Sequence, residues 1–335
     1  MHLSEAQCQQ LLPVSRRNLI KGSSDNTVNF ALTNSSGILI FECSGRKFVA
    51  PYVKIVTEGR YRRAREHDAV TANLLGMQLP DGLRTTFAGG SYQTERFIEV
   101  DQSNESVVVD ETIIVKWQLE AHKSIGAQKE ETLTKNRFRF LPALLGNIYW
   151  NELLLASVNT YIPETTDGWT WCVTKAKEDD LGVWIDNLSL LTKEMHGNLE
   201  GLTHGDFHVG QILKGSQTDD LWVIDFEGDP LSPVAHEREL VHDIASMCTS
   251  FFHVGAVAIK YGANIATIKK WITQVETIFL NKYFDGKTFN LIKIHSLMRA
   301  LENRELVYAD KFLPQWRYAP EYAITFMEEL NYGSD

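Results

Sequence analysis

The chain has 335 residues, 44% of them hydrophobic and 23% charged, a globular composition long enough for two or three domains with cores of their own. Its 33 Lys and Arg against 43 Asp and Glu give a formal charge of −10, which repels a phosphate backbone, and no basic cluster offsets it, so nucleic acid is not an expected partner. Cys8, Cys43, Cys172 and Cys248 are scattered without a CxxC pair, the start MHLSEAQCQQ has no basic or apolar leader region, and no run approaches a membrane span. Reduced thiols and a soluble cytoplasmic protein, with no membrane partner, are the expectation.

Residues 1–85 carry short β-like runs, TVNFALT, GILIFEC and KFVAPYVKIV, separated by the turn formers SSDN and NSSG and followed by a helix expected in REHDAVTANLLG. Residues 86–172 add the strands ERFIEV, SVVVD, TIIVKWQ and LLLASVNTYIP, with a helix in KEETLTKNRF. From residue 173 to 335 the pattern turns helical, in DDLGVWIDNLSLLTKEMHG, RELVHDIASMCTSFFHVGAVAIKYG, ATIKKWITQVETIFLNKYF and LIKIHSLMRALENRELVYADKFL. No repeat or low-complexity segment interrupts this order. A β-rich N-terminal half joined to a helical C-terminal half is the outline of an α+β, two-lobed, kinase-like fold with an extra N-terminal module.

The densest chemistry lies in THGDFHVGQ, residues 203–211, followed by WVIDFEGDP. Asp206 and Gln211 are five apart, the separation of base and metal-binding amide in a kinase catalytic loop, and LWVID is an apolar strand ending on a second carboxylate, Asp225. Mg²⁺ takes a few hard oxygens from protein and completes its shell with phosphate and water, so Gln211 and Asp225 are its expected ligands and Asp206 the base. HGDFH alone reads equally well as a polar turn; VIDFEG at this distance tips the balance toward chemistry. A dinuclear hydrolase needs more imidazole and carboxylate ligands than His236, His242 and His253 supply in any recognisable pattern.

THGDFHVGQIL and LWVIDFEGDPLSP resemble the maltokinases and actinobacterial glucosamine kinases, within the aminoglycoside phosphotransferase-like group of the protein kinase-like fold. QSNESVVVDETIIVKW is similar to that family's phosphate-loop hairpin and lysine strand, and FLPALLGNIYW, LLLASVNTYIPETTDGWTW to its following strands, hinge and the DGW element opening the helical lobe. The resemblance implies a cap module over 1–85, a β-rich intermediate nucleotide-binding lobe over 86–172 and a helical catalytic and sugar-binding lobe over 173–335. It implies ATP and Mg²⁺ as cofactors, Asp206 as base, Gln211 and Asp225 as metal ligands, and Lys116 on the α- and β-phosphates with Glu131, or the adjacent Glu130, orienting it. The phosphate loop has no glycine, so Ser103, Asn104 and Ser106 must supply its donors, and the adenine is expected against Asn159, Thr160 and Ile162. His204 and His208, flanking the base, are expected on the substrate side.

The acceptor is read from the last long helix. Ile294, Leu297, Met298, Leu301, Tyr308 and Phe312 follow helical spacing, with Glu305 in phase and Glu302 on the same surface. A carboxylate on an inward stripe calls for a cation: a substrate ammonium, or internally Arg299, Arg304 or another cation of the chain. ENRELVYADKFLPQWRYAP resembles the glucosamine kinase ending more than the maltokinase one, with Trp316 placed to stack on a pyranose. The resemblance therefore implies an amino-sugar substrate, glucosamine going to glucosamine 6-phosphate. The alternatives are maltose going to maltose 1-phosphate, another small-molecule acceptor of an aminoglycoside phosphotransferase-like kinase, or a nucleotide-binding protein without turnover.

Overall fold

The computed structural model describes residues 2–57, 59–98, 104–229 and 237–332. The chain divides into two compact units, Met1–Ala127 with Pro142–Pro163, and Gln128–Leu141 with Glu164–Asp335.

In the first unit, α1 (Glu5–Gln10) opens on a capping box between Ser4 and Gln7. The strands β1 (Asn26–Ala31), β2 (Ser36–Cys43), β3 (Arg46–Ile55) and β4 (Arg60–Arg63) follow, then α2 (Val70–Gly76), β5 (Leu83–Thr85), β6 (Glu95–Ile98), β7 (Asn104–Val109) and β8 (Ile113–His122). The chain passes through α3 (Ile125–Lys135), whose later residues belong to the second unit, and returns as β9 (Leu144–Trp150) and β10 (Leu153–Thr160). All pairs are antiparallel, in the order β1-β2-β3-β8-β10-β9-β5, with β4 on β3 and β6-β7 on β8. The period of two decides the packing. Along β2, Ile38 and Ile40 face one apolar cluster while Leu39 and Phe41 face another that Cys8, Leu11 and Leu12 cover. Residues 1–85 and the strands after them thus share one sheet, β3 meeting β8 at Phe48↔Glu120.

The helix expected over REHDAVTANLLG is shorter than its pattern. Asp68 pairs with Arg62 and accepts from the Arg65 N–H, and Ala69 sits left-handed at φ 54°, so only Val70–Gly76 is helical. Its first N–H groups, of Val70, Thr71 and Ala72, donate to the buried Glu95 carboxylate at 3.1, 2.8 and 3.0 Å. A distant carboxylate therefore replaces the local cap.

The second unit holds β11 (Thr165–Asp167), α4 (Gly168–Lys177), α5 (Trp184–Asn198), β12 (Ile212–Gly215), β13 (Leu221–Val223), α6 (Val241–Lys260), α7 (Ile265–Phe284), α8 (Leu291–Phe312) and α9 (Tyr318–Glu329). α6 is apolar on nearly every side, and α4, α7, α8 and α9 pack around it. The expected inward stripe of α8 is corrected. Ile294, Met298 and Glu302 are fully buried, while Phe312 is exposed, so the buried face follows an i, i+4, i+8 line that ends on Glu302. α9 carries Pro320, which reads as a breaker but lies in the first turn, where no intrahelical N–H bond is lost. No helix among the described residues is long and apolar enough to cross a membrane.

Candidate active site

The segment 203–211 folds as a loop ending in the single 3-10 turn Val209–Gln211. Gly205 at φ 91° turns the chain where a side chain would be strained, and β12 leaves directly after Gln211. β12 pairs with β13 at Ile212↔Val223, and the Ile224 N–H donates to the Gln211 carbonyl at 2.9 Å. Gln211 and Asp225 thereby lie at adjoining strand ends. Asp225 is left-handed at φ 65°, a conformation Asp tolerates better than most residues.

Asp206 is partly exposed. Burial raises the pKa of its carboxyl, but His208, His204 and Arg304 outweigh that and hold it below the usual carboxylate range. His208 Nε2 stands 3.7 Å from Asp206 Oδ2, and its Nδ1 accepts the Gly210 N–H at 3.0 Å. That bond assigns the ring proton to Nε2, the atom facing the carboxylate. Trp169 stacks on His208 with centroids 5.7 Å apart, and Trp316 meets both Trp169 and His253 edge-on at 5.6 Å. The DGW segment acts at close range: Asp167 caps α4 by accepting from Thr170, and a Cβ on Gly168 would stand 1.5 Å from the Val209 carbonyl oxygen.

Two of the expected substrate contacts are corrected. His204 is fully buried, with Nε2 donating to the Ile224 carbonyl at 3.1 Å and Nδ1 accepting from the Asp206 N–H at 3.4 Å. Both nitrogens are committed, and burial keeps the ring neutral with a pKa lowered to about 4, so His204 shapes the loop rather than touching a sugar. Glu302 is likewise fully buried and accepts from His253 Nε2 at 2.8 Å. Against desolvation, the carboxylates of Glu302 and Glu305 hold His253 above the ordinary imidazole range. Arg299 pairs with Glu328, and Arg304 with Asp229, so neither is the internal cation for Glu302. Glu305 is only partly buried and makes no hydrogen bond among the described residues; burial raises its pKa, and the charges of His253, Arg304, Asp206 and His208 all act on it.

In the first unit, Lys116 stands on β8 in register with Ser106 of β7 and Ser157 of β10. Asn104 opens β7, and Ser103 lies outside the described residues. Asn159 and Thr160 end β10; the Thr160 N–H already donates to Ala143 and the Tyr161 N–H to Thr112, which closes those two donors to an adenine before Ile162 is reached. Glu131 is exposed on α3 and Glu130 half-buried.

Two residues went unnoticed in the sequence. Asp243 on α6, 2% exposed, accepts the N–H groups of His204 and Gly205 at 2.6 and 3.0 Å and the His196 Nε2–H at 3.1 Å. Burial raises its pKa less than these partners lower it. Lys129 on α3, 1% exposed, donates to the carbonyls of His204 and Phe226 at 2.8 and 3.1 Å; burial lowers its pKa to about 8 against the pull of Asp243 and Glu227. The readable signal was a charged residue on an inward helical line, Asp243 with Met247 and Phe251, and Lys129 with Gly126 and Leu133.

A loop carrying Asp206 joined to a strand that ends beside Asp225, in a fold of one antiparallel sheet unit and one helical unit, is the α+β arrangement expected of a small-molecule kinase. No family model matches the chain. The glucosamine kinase of Mycolicibacterium smegmatis is 25% identical over 80% of this chain and 90% of its own, and that of Streptacidiphilus jiangxiensis 27% identical over 80% and 83%. Among solved structures, a glucosamine kinase crystal form superposes with a TM-score of 0.76 at 23% identity over 96% of this chain and 97% of its own. A glucosamine kinase in complex with glucosamine, ADP and inorganic phosphate does so at 0.71 and 23%, over 92% and 94%. Over most of its length the chain is thus similar to curated glucosamine kinases.

Proposed function

We propose that the protein transfers the γ-phosphoryl group of ATP to a hydroxyl of glucosamine, giving glucosamine 6-phosphate. The observation that carries the reading is the placement of Asp206, Gln211 and Asp225 at one loop and two adjoining strand ends, with a carboxylate, Glu305, whose charge reaches Asp206. Asp206, held ionised, takes the proton of the attacking hydroxyl, and His208 Nε2 orients it. The amide oxygen of Gln211 and the carboxylate of Asp225 are hard ligands of the kind Mg²⁺ takes, and the ion, when bound, neutralises phosphate charge. Lys116 takes the α- and β-phosphates, and Asn104 and Ser106 contribute donors to the triphosphate. Trp316 and Trp169 offer faces for the pyranose. Glu305 receives the substrate ammonium, and Glu302 acts behind it by keeping His253 in place.

The acceptor preference is tested by kcat/KM for glucosamine, N-acetylglucosamine, glucose and maltose with wild type and Glu305→Gln. Losing a hydrogen bond to a charged group costs about 1.5–3 kcal/mol, so the variant should lose roughly 10- to 100-fold on glucosamine and less on glucose. Acetylation removes the charge and adds bulk, so N-acetylglucosamine should be a poor substrate. A preference for maltose, or an equal loss on every sugar, would sink the ammonium site.

A further inference from the structure

We propose that Lys129 is a positioning residue for phosphoryl transfer, its ammonium clamping the main chain of the loop that carries Asp206 to the main chain beside Asp225. Nζ reaches the carbonyl of His204, two residues before Asp206, at 2.8 Å, and the carbonyl of Phe226, one residue after Asp225, at 3.1 Å. One head group thus ties together two segments about 20 residues apart in the chain.

Packing does not account for this lysine. It lies on the buried line of α3 between Gly126 and Leu133, where a leucine would fill the space without the several kcal/mol that burying an ammonium costs. What compensates the charge is specific to the site: two carbonyls, and the carboxylates of Asp243 and Glu227, whose fields reach the ammonium. The His204 residue is consequently gripped from both ends, its N–H by Asp243 at 2.6 Å and its carbonyl by Lys129. Phosphoryl transfer is mostly positioning, and a displacement of about 1 Å between reacting groups costs on the order of 10²-fold. A clamp between the base loop and the metal-ligand loop acts on that distance directly, without touching substrate or nucleotide.

The inference rests on the roles proposed above for Asp206 and Asp225, so wild-type turnover of glucosamine and its loss in Asp206→Asn are established first; failure there removes the functional reading and leaves the binding measurement on Lys129 to be read by itself. The variant is Lys129→Met. Relative to the fraction folded, kcat should fall about 10- to 100-fold with KM for glucosamine changed less than about twofold. By calorimetry, Mg²⁺·ADP should bind about tenfold more weakly while metal-free ADP binds as to wild type. A purely structural lysine predicts a lowered Tm with kcat per folded molecule and the Mg²⁺ dependence of ADP binding unchanged, and that result overturns the proposal. If the methionine variant does not fold, Lys129→Gln, which keeps a neutral donor, is put through the same measurements with the same outcomes. If neither folds, the lysine serves the fold and the proposal falls.

Discussion

In the function proposed above, the chemistry of the loop rests on one carboxylate. Asp206 sits low in pKa because His208, His204 and Arg304 favour its charged form more than burial opposes it, and a base that is already ionised at neutral pH is ready to accept a hydroxyl proton. Asp206→Asn should keep nucleotide affinity near that of wild type and reduce turnover by about 10²–10⁴, the range for loss of a general base. Turnover near the wild-type rate would remove Asp206 from the role. That Asp206, Gln211 and Asp225 lie on one loop and two adjoining strand ends was legible because loop spacing and a strand-ending carboxylate are local patterns. Asp243 and Lys129 were not, because they act across 38 to 97 positions of sequence, mostly on main-chain groups with no side-chain signature, and His253, the partner of Glu302, lies 49 positions away. His204 and Glu302 were misplaced for the same reason: a histidine beside a base looks available until both its nitrogens are found occupied.

At the scale of elements, the join between β11 and α4 determines where the loop sits. Gly168 is the first residue of α4 and lies so close to Val209 that a methyl group would overlap its carbonyl. Gly168→Ala must push α4 off the 3-10 turn, and overpacking of this kind costs about 1–3 kcal/mol or more. Thermal denaturation should show the loss of stability, and kcat should fall beyond what the unfolded fraction explains, since Gln211 ends the displaced turn. An unchanged Tm and kcat would mean the contact relaxes freely. Most elements were readable from periodicity: β2 from its apolar run, α5 to α8 from their helical spacing. The exceptions have physical causes, α2 trimmed by a carboxylate that comes from β6, and α9 concealed by a proline that its first turn accommodates.

For the molecule as a whole, buried ionisable groups set the pH range of stability. His204 takes up a proton only near pH 4 in the folded chain but near 6.5 when unfolded. The unfolded state therefore binds more protons between those values, and stability falls as pH drops through the window, by roughly 3 kcal/mol across it from this group. Asp206 and Asp243, lowered in the folded state, add to the loss at still lower pH as they protonate. His253 works in the other direction, its contribution fully present below about 6.5 and lost as pH rises through its elevated value. Glu95, Glu302 and Glu305, raised by burial in the folded state, oppose this fall, so urea denaturation should give a midpoint that declines from pH 6.5 to 4.5 by less than His204 alone would cause; a midpoint that falls as steeply in a His204→Phe variant contradicts a neutral buried His204 as its source. The antiparallel sheet and the helical unit were foreseeable from composition and period, whereas the sharing of one sheet by residues 1–85 and the strands after them was not, since β3 meets β8 through non-local pairing. The anchors of the base loop carry one more implication. Asp243 and Lys129 hold main-chain groups of His204 and Gly205 that a change of the Asp206 side chain leaves in place, so these anchors do not depend on the carboxylate the loop displays. A change at Asp206 can then silence the chemistry while sparing the scaffold, and a pseudoenzyme that still folds lies one codon change away from this sequence.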